Sequence, residues 1–137
     1  MNNGVIKHGN FKIIISSETI NFRNILAGKL RLEGFEVEFA VGGFHMMHIL
    51  EKFTDCKMVI VNEDMHDMSA QEIIGLIRLI KSKQELPILF ISKSNSEEEI
   101  CDMIFAGANE YIVQSANFNP ILERAHKYLQ ILKANAA

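Results

Sequence analysis

Five short apolar runs alternate with amphipathic stretches along the chain. In order they are KIIIS (12–16), EVEFAV (36–41), KMVIVN (57–62), PILFIS (87–92) and EYIV (110–113). They are rich in Ile, Val and Phe, and most do not alternate with polar residues, which is typical of strands buried on both faces. The second run differs, because Glu36 and Glu38 alternate with Val37 and Phe39. This alternation indicates an exposed edge strand.

The stretches between the runs have helical spacing and helix-boundary residues. Apolar residues recur every three or four positions from Phe22, and Gly34 can end that helix. Ser69 and Glu72 fit a capping box. The segment SNSEEE (94–99) offers another cap with acids in the first turn, and NP (119–120) suits the start of a last helix.

The alternation of strand and helix predicts a parallel sheet with right-handed crossovers. Five strands and five helices in this length predict an α/β fold, a flavodoxin-like doubly wound five-stranded parallel sheet of order 2-1-3-4-5 with helices on both faces. Ligands of such folds bind at the carboxyl ends of the strands. The residues at those ends are Ser16 to Glu18, Asn62, Ser92 and Gln114.

Length and charge narrow the remaining possibilities. The 137 residues suit one domain, which we place at 11–133 between a flexible N-terminal segment (1–10) and a C-terminal tail (134–137). The net charge of −3 shows no basic excess that would favour nucleic acid. No apolar run approaches the roughly 20 residues of a membrane-spanning helix, and the polar N-terminus does not read as a signal peptide. We therefore expect a cytoplasmic protein that binds neither nucleic acid nor membrane.

Three motifs, in this order and spacing, carry a resemblance to a known family. MSAQE (68–72) is similar to Met-Asp-Gly-x-Glu, GANEYIV (107–113) is similar to Gly-Ala-Asp-x-Tyr-Leu, and LPILFIS (86–92) is similar to a fourth strand of the same family. On these motifs the chain resembles the receiver domains of two-component response regulators. The resemblance extends from Phe11 to about Leu132.

The resemblance implies a set of site positions. A working receiver has two acids after strand 1, a phospho-accepting Asp after strand 3, a Ser or Thr after strand 4, a Lys after strand 5, and an aromatic switch residue. Carried onto this chain in that order, the positions are Ser17 with Glu18, Asn62, Ser92, Gln114 and Tyr111. Only Glu18, Ser92 and Tyr111 keep the chemistry that the family needs.

The departures change what the site can do. The amide of Asn62 is neutral and its nitrogen lone pair is delocalised, so it is a poor nucleophile. Magnesium prefers hard oxygen ligands, and Glu18 is the one acid left at the expected ligand positions, so we expect at most weak Mg²⁺ binding and no other cofactor. Gln114 supplies no positive charge to a phosphoryl group. We predict an atypical receiver with a neutralised pocket that is held by hydrogen bonds among Ser17, Asn62, Ser92 and Gln114.

The leading functional prediction is a signalling module that is not an enzyme and that binds proteins independently of phosphorylation. Its partner would be a protein such as a histidine kinase or an output domain, or a second copy of the chain, bound through the fourth helix, fifth strand and fifth helix with Tyr111. Two alternatives stay open. Asp64 accepts phosphate in a slipped register, or the strand-end crevice binds a small ligand. Glu63 or Asp64 could also help Glu18 to hold a cation.

Overall fold

Strands and helices alternate through the whole described part of the protein. The structure is a computed structural model that describes His8 and residues 11–136. In chain order the elements are β1 (Lys12–Ser16), α1 (Ile20–Leu32), β2 (Glu36–Ala40), α2 (Gly43–Lys52), β3 (Cys56–Asn62), α3 (Ala70–Ile80), β4 (Ile88–Ser92), α4 (Glu97–Ala106), β5 (Glu110–Val113) and α5 (Asn119–Ala136).

The strands form one parallel sheet in the order β2-β1-β3-β4-β5, which confirms the predicted topology. Each of the five apolar runs forms a strand, with boundaries that differ from the runs by at most one residue. β2 lies at an edge of the sheet, as its alternating pattern indicates, and Glu36 and Glu38 are its exposed side chains. The sequence period therefore identifies both the strand and its place in the sheet.

The core consists of two apolar layers, one on each face of the sheet. Successive side chains of a strand point to opposite faces, so Ile14 of β1 belongs to one layer while Ile13 and Ile15 belong to the other. The first layer includes side chains of α2, α3 and α4, and the second includes side chains of α1 and α5. Burying each such isoleucine stabilises the fold by about 1.5–3 kcal/mol, which explains the unbroken apolar runs of the central strands.

Specific residues begin and end the helices. At the start of α3 the predicted capping box is present, because Ser69 Oγ accepts from the Glu72 N–H and Glu72 Oε1 accepts from the Ser69 N–H, both at 3.1 Å. α4 begins at the cap Ser96, whose Oγ accepts from the Glu99 N–H. It ends at Gly107, whose φ of +128° is a conformation that favours glycine.

The structure describes more of the C-terminal end of the chain than of its N-terminal end. The predicted N-terminal segment, except His8, lies outside the described residues. α5 continues to Ala136, so residues 134–136 of the predicted tail are helical. Within the described residues, none of the helices combines the length and the apolar character needed to cross a membrane.

Candidate functional site

The predicted site residues come together at the edge of the sheet that is formed by the carboxyl ends of its strands. Ser17 follows β1, Asn62 and Ser92 end β3 and β4, and Gln114 follows β5. Ser17, Asn62 and Ser92 are buried, with exposed fractions of 0%, 3% and 0%, while Gln114 is half-buried. The carboxyl ends of β1, β3, β4 and β5 therefore bring these four neutral polar residues to the same edge of the sheet.

The hydrogen bonds at this edge are not those predicted from the sequence. Within residues 11–136 no side-chain hydrogen bond joins any two of Ser17, Asn62, Ser92 and Gln114. Asn62 Oδ1 accepts from the Glu63 N–H at 2.7 Å. The Gln114 main-chain N–H donates to the Ser92 carbonyl at 2.6 Å. The predicted network was wrong because carboxylates from the loop after β3 accept from the hydroxyls of Ser17 and Ser92, and a carboxylate is a stronger acceptor than a neutral amide.

Asp64 contributes one of these carboxylates and binds the start of α1. Its Oδ2 accepts from Ser17 Oγ and from the Thr19 N–H, each at 2.8 Å, and from the Glu18 N–H at 3.2 Å. Thr19 Oγ1 donates to the same oxygen. Thr19 is the N-cap of α1 and makes no side-chain cap bond of its own. Asp64 binds the Thr19 N–H, one residue before the helix begins, where the helix dipole favours a carboxylate. It does so from a loop 45 residues away in sequence.

The charge state of Asp64 follows from these contacts. Burial alone would raise its pKa, but the hydrogen bonds from Thr19, Ser17 and the Glu18 N–H outweigh burial and lower the pKa of this carboxyl. The other oxygen, Oδ1, is enclosed and has no hydrogen-bond partner among the described residues. Asp64 thus has one oxygen engaged by several donors and one shielded from solvent. A phospho-acceptor instead needs an oxygen that an incoming donor can reach.

Glu63, the neighbour of Asp64, points towards β4. Its Oε2 accepts from the Ser92 hydroxyl and from the Lys93 N–H, the latter at 3.3 Å. Glu99 of α4 also contacts the Ser92 hydroxyl, because its Oε1 lies 3.5 Å from Ser92 Oγ. A serine hydroxyl has only one proton to donate, so the shorter contact to Glu63 is the dominant one.

Glu18, the predicted weak metal ligand, contacts His66 in the loop after β3. Its Oε2 accepts from the His66 N–H at 2.7 Å, and its Oε1 lies 2.8 Å from His66 Nδ1. Both oxygens therefore bind the loop after β3. In the described part of the chain no three His, Cys, Asp or Glu side chains are grouped as metal ligands would be. Mg²⁺ prefers carboxylate oxygens and usually keeps several waters, and the nearest carboxylates of this edge, those of Glu18, Glu63 and Asp64, each accept hydrogen bonds from protein groups.

Asp67 binds the start of another helix from the same loop. Its carboxylate accepts from the Gly43 N–H at 2.9 Å and from the Phe44 N–H at 3.1 Å, at the first residues of α2. These main-chain donors lower the pKa of the Asp67 carboxyl. The loop therefore contacts the starts of α1 and α2 and the end of β4 through acidic side chains.

Tyr111, the predicted switch residue, connects β5 with the loop after β4. Its hydroxyl donates to the Ser94 carbonyl at 2.8 Å. Its ring packs against Phe90, with ring centroids 5.3 Å apart. Burial raises the pKa of the Tyr111 hydroxyl, and contact with Glu99 adds to the shift. The side chain is half-buried, so one part of it is accessible at the surface formed by α4 and β5.

A cavity of about 310 Å³ lies away from this edge. Its lining includes Phe11, just before β1, Lys57 near the start of β3, and Tyr128 and Ile131 of α5. Phe11 and Lys57 place the cavity near the amino ends of the strands. The cavity is therefore not the strand-end crevice in which the small-ligand alternative would place its ligand.

Comparison with protein-family models gives a match to the response regulator receiver domain over residues 13–126. The chain belongs to this family. The chain is 27% identical to the chemotaxis protein CheY homolog of Campylobacter jejuni over 104 residues, which are 75% of this chain and 80% of that protein. It is 28% identical to the chemotaxis protein CheY-3 of Vibrio cholerae over 128 residues, 93% of this chain and 98% of that protein.

Solved structures of receiver proteins have the same fold. A two-component response regulator from Clostridium difficile superimposes with a TM-score of 0.81 at 16% identity, covering 88% of this chain and 96% of that chain. The family membership and the strand order together confirm the resemblance proposed from the motifs. The protein is thus a receiver domain of two-component signalling.

Sequence reasoning missed how Glu63 and Asp64 are used. The sequence suggests for them only help to Glu18 at a cation site or, for Asp64, the role of a displaced acceptor. The available signal was their position, since two acids directly follow Asn62 at the end of a buried strand. Consecutive residues after a strand tend to diverge, and here one carboxylate reaches β4 while the other reaches α1.

Proposed function

We propose that this receiver domain signals by binding a protein partner without being phosphorylated. The observation that carries the proposal is the buried Asn62 at the end of β3, in the position where the receiver pattern has its phospho-accepting aspartate. An amide there has no anionic oxygen with which to attack phosphorus. Its Oδ1 is also engaged by the Glu63 N–H.

The neighbouring positions support the same conclusion. Gln114 provides no cation to neutralise a phosphoryl group. Ser17 replaces one of the two acids, and the remaining acid, Glu18, binds His66 with both oxygens. We therefore infer that the domain has no resident Mg²⁺ and no catalytic role of its own.

The contacts of Asp64 argue against it as a substitute acceptor. Its Oδ2 already accepts from Ser17, Glu18 and Thr19, and its Oδ1 is enclosed. Phosphorylation of Asp64 would require the start of α1 to be released. Its lowered pKa, which marks a weaker base, reflects the same hydrogen bonds.

The partner surface that we propose is formed by α4, β5 and α5. Tyr111 of β5 is half-buried there, and the large apolar side chains Phe105 and Val113 are 94% and 44% exposed. Exposed apolar side chains of this size favour a protein interface. In the cytoplasm, where we place this protein, the partner would be a histidine kinase, an output domain or a second copy of the domain.

A phosphorylation assay tests the proposal. The protein is incubated with acetyl phosphate and Mg²⁺ and its intact mass is measured, and its amide NMR spectrum is recorded with Mg²⁺ and beryllofluoride. We expect no phosphoryl adduct and no shifts at Asn62, Ser92 or Tyr111. A receiver that has aspartate at the acceptor position, treated in parallel, controls for the reagents.

If a phosphoryl adduct does form, the same assay can identify the residue that carries it. A phosphoryl adduct on the wild-type protein would refute the proposal. Loss of that adduct in Asp64→Asn would then assign acceptance to Asp64, the alternative left open by the sequence.

A further inference from the structure

We propose that the Glu63 carboxylate serves as an internal anion of the pocket. It occupies the hydrogen-bond donors beside Ser92 that a phosphoryl group would otherwise need, and it thereby holds Tyr111 in one arrangement. The inference rests on the proposed function, because an internal anion replaces phosphorylation only where no phosphoryl group is added. It assigns to Glu63 a positioning role that acts through Ser92 and the loop after β4.

The Glu63 carboxylate occupies two hydrogen-bond donors beside the end of β4. The Ser92 hydroxyl and the Lys93 N–H converge on Glu63 Oε2 at the carboxyl end of β4. A hydroxyl and a main-chain N–H that face one point are suited to an oxyanion. A free anion would have to displace this carboxylate, and the nearby carboxylate of Glu99 would repel it.

Hydrogen bonds of its own backbone hold Glu63 in place. Its N–H donates to Asn62 Oδ1 at 2.7 Å and lies 3.1 Å from the Ile91 carbonyl of β4. Covalent attachment and these bonds reduce the entropy lost when the carboxylate binds its donors. Asn62 therefore also has a structural role, because its amide oxygen helps to fix Glu63, the residue that supplies the negative charge.

Further hydrogen bonds connect the Glu63 carboxylate to Tyr111 at the surface. Ser92 Oγ accepts from the Ser94 N–H at 3.1 Å, and the Ser94 carbonyl accepts from the Tyr111 hydroxyl at 2.8 Å. Glu63, Ser92, Ser94 and Tyr111 thus form a continuous series of hydrogen bonds. The position of the Tyr111 ring on the α4–β5 surface consequently depends on whether an anion is bound at Ser92.

Tyrosine NMR can test this dependence, because the chain has only two tyrosines and no tryptophan. The full protein is labelled with ¹³C-tyrosine, and the Tyr111 signals are assigned by their difference from Tyr128→Phe. Glu63→Ala and Glu63→Gln are compared with Glu51→Ala and Glu51→Gln, which change an exposed glutamate of α2. We expect the Tyr111 ring signals and the amides of Lys93 and Ser94 to shift in both Glu63 variants and in neither control.

Adding inorganic phosphate distinguishes loss of an anion from loss of packing. In Glu63→Ala, phosphate should move the Tyr111, Lys93 and Ser94 signals back towards their wild-type positions, and it should move none of them in the wild type. If the Glu63 variants leave these signals unmoved, the carboxylate does not position Tyr111 and the proposal is wrong. If the signals move but phosphate does not reverse the change, the site is not an anion site and the proposal is equally refuted.

The two proposals fail in different experiments. A phosphoryl adduct on the wild-type protein overturns the proposed function whatever the Glu63 variants do. Unshifted Tyr111 signals in Glu63→Ala and Glu63→Gln overturn only the role of Glu63. If Glu63→Ala does not fold, Glu63→Gln still removes the charge at nearly the same volume and gives the decisive comparison.

Discussion

Replacing Asp64 should destabilise the whole domain, because this side chain connects the loop after β3 to the start of α1. Asp64→Ala removes one carboxylate that accepts from Ser17 Oγ, the Glu18 N–H and the Thr19 N–H. It leaves the Glu18 N–H and the Ser17 and Thr19 hydroxyls without this acceptor, while the Thr19 N–H keeps only its contact with Ser17 Oγ at 3.2 Å. Asp64→Asn keeps the shape and one oxygen but removes the charge.

The expected magnitude follows from the capping role. Loss of a helix-capping side chain costs about 0.5–2 kcal/mol, and a hydrogen bond to a charged group contributes about 1.5–3 kcal/mol. These contributions are not additive, and water can reach the N–H groups once the carboxylate is gone. We therefore expect a loss of about 2–3 kcal/mol for Asp64→Ala and about 1 kcal/mol for Asp64→Asn. The larger loss corresponds to a melting temperature lower by about 8–12 °C.

The assay is equilibrium unfolding in urea, followed by circular dichroism of the helices. The midpoint should fall with an unchanged slope, because the change acts on the folded state. Asp102→Ala, which changes an exposed aspartate of α4, should stay within about 0.5 kcal/mol of the wild type. A loss for Asp64→Ala no greater than that of the control would refute the capping role.

The pH dependence provides a second check on Asp64. Its pKa in the folded protein is lowered, so its contribution is fully present above the pKa of the unfolded chain and disappears as the pH falls through the folded-state value. The stability difference between the wild type and Asp64→Asn should be constant from pH 7 to about pH 5 and should shrink below about pH 4. A difference that grew on acidification would contradict this sign.

Two further predictions concern helix ends. Ser69→Ala removes the capping box of α3 and should cost about 1 kcal/mol in urea unfolding, whereas a cost near zero would show that Glu72 and water suffice. Gly107→Ala should cost about 1–3 kcal/mol, because φ is +128° and the added Cβ would lie 2.5 Å from Arg78 Cγ. Gly28→Ala, in α1 with nothing within 4 Å of the added Cβ, is the matched control and should be neutral or stabilising.

The fold could be predicted from the sequence because its signals are local. An unbroken apolar run such as 57–62 predicts a strand buried on both faces, and Ser69 with Glu72 marks a helix start within four residues. The alternation of such segments restricts the topology to few possibilities, and the motifs around Met68 and Gly107 then select one family. The chemistry of a single position is equally direct, since Asn62 is an amide in any conformation.

The partners of the charged side chains were decided by the tertiary structure. Glu63 meets Ser92 from 29 residues away, and Asp64 meets Thr19 from 45 residues away. No sequence period relates such residues, because the parallel crossovers bring the carboxyl ends of the strands together only after folding. The sequence by itself determined that β3 ends in an amide, Asn62. The tertiary structure decided that Glu63 binds Ser92 and that Asp64 binds Thr19, because a buried hydroxyl or N–H group binds whichever acceptor the fold brings within reach.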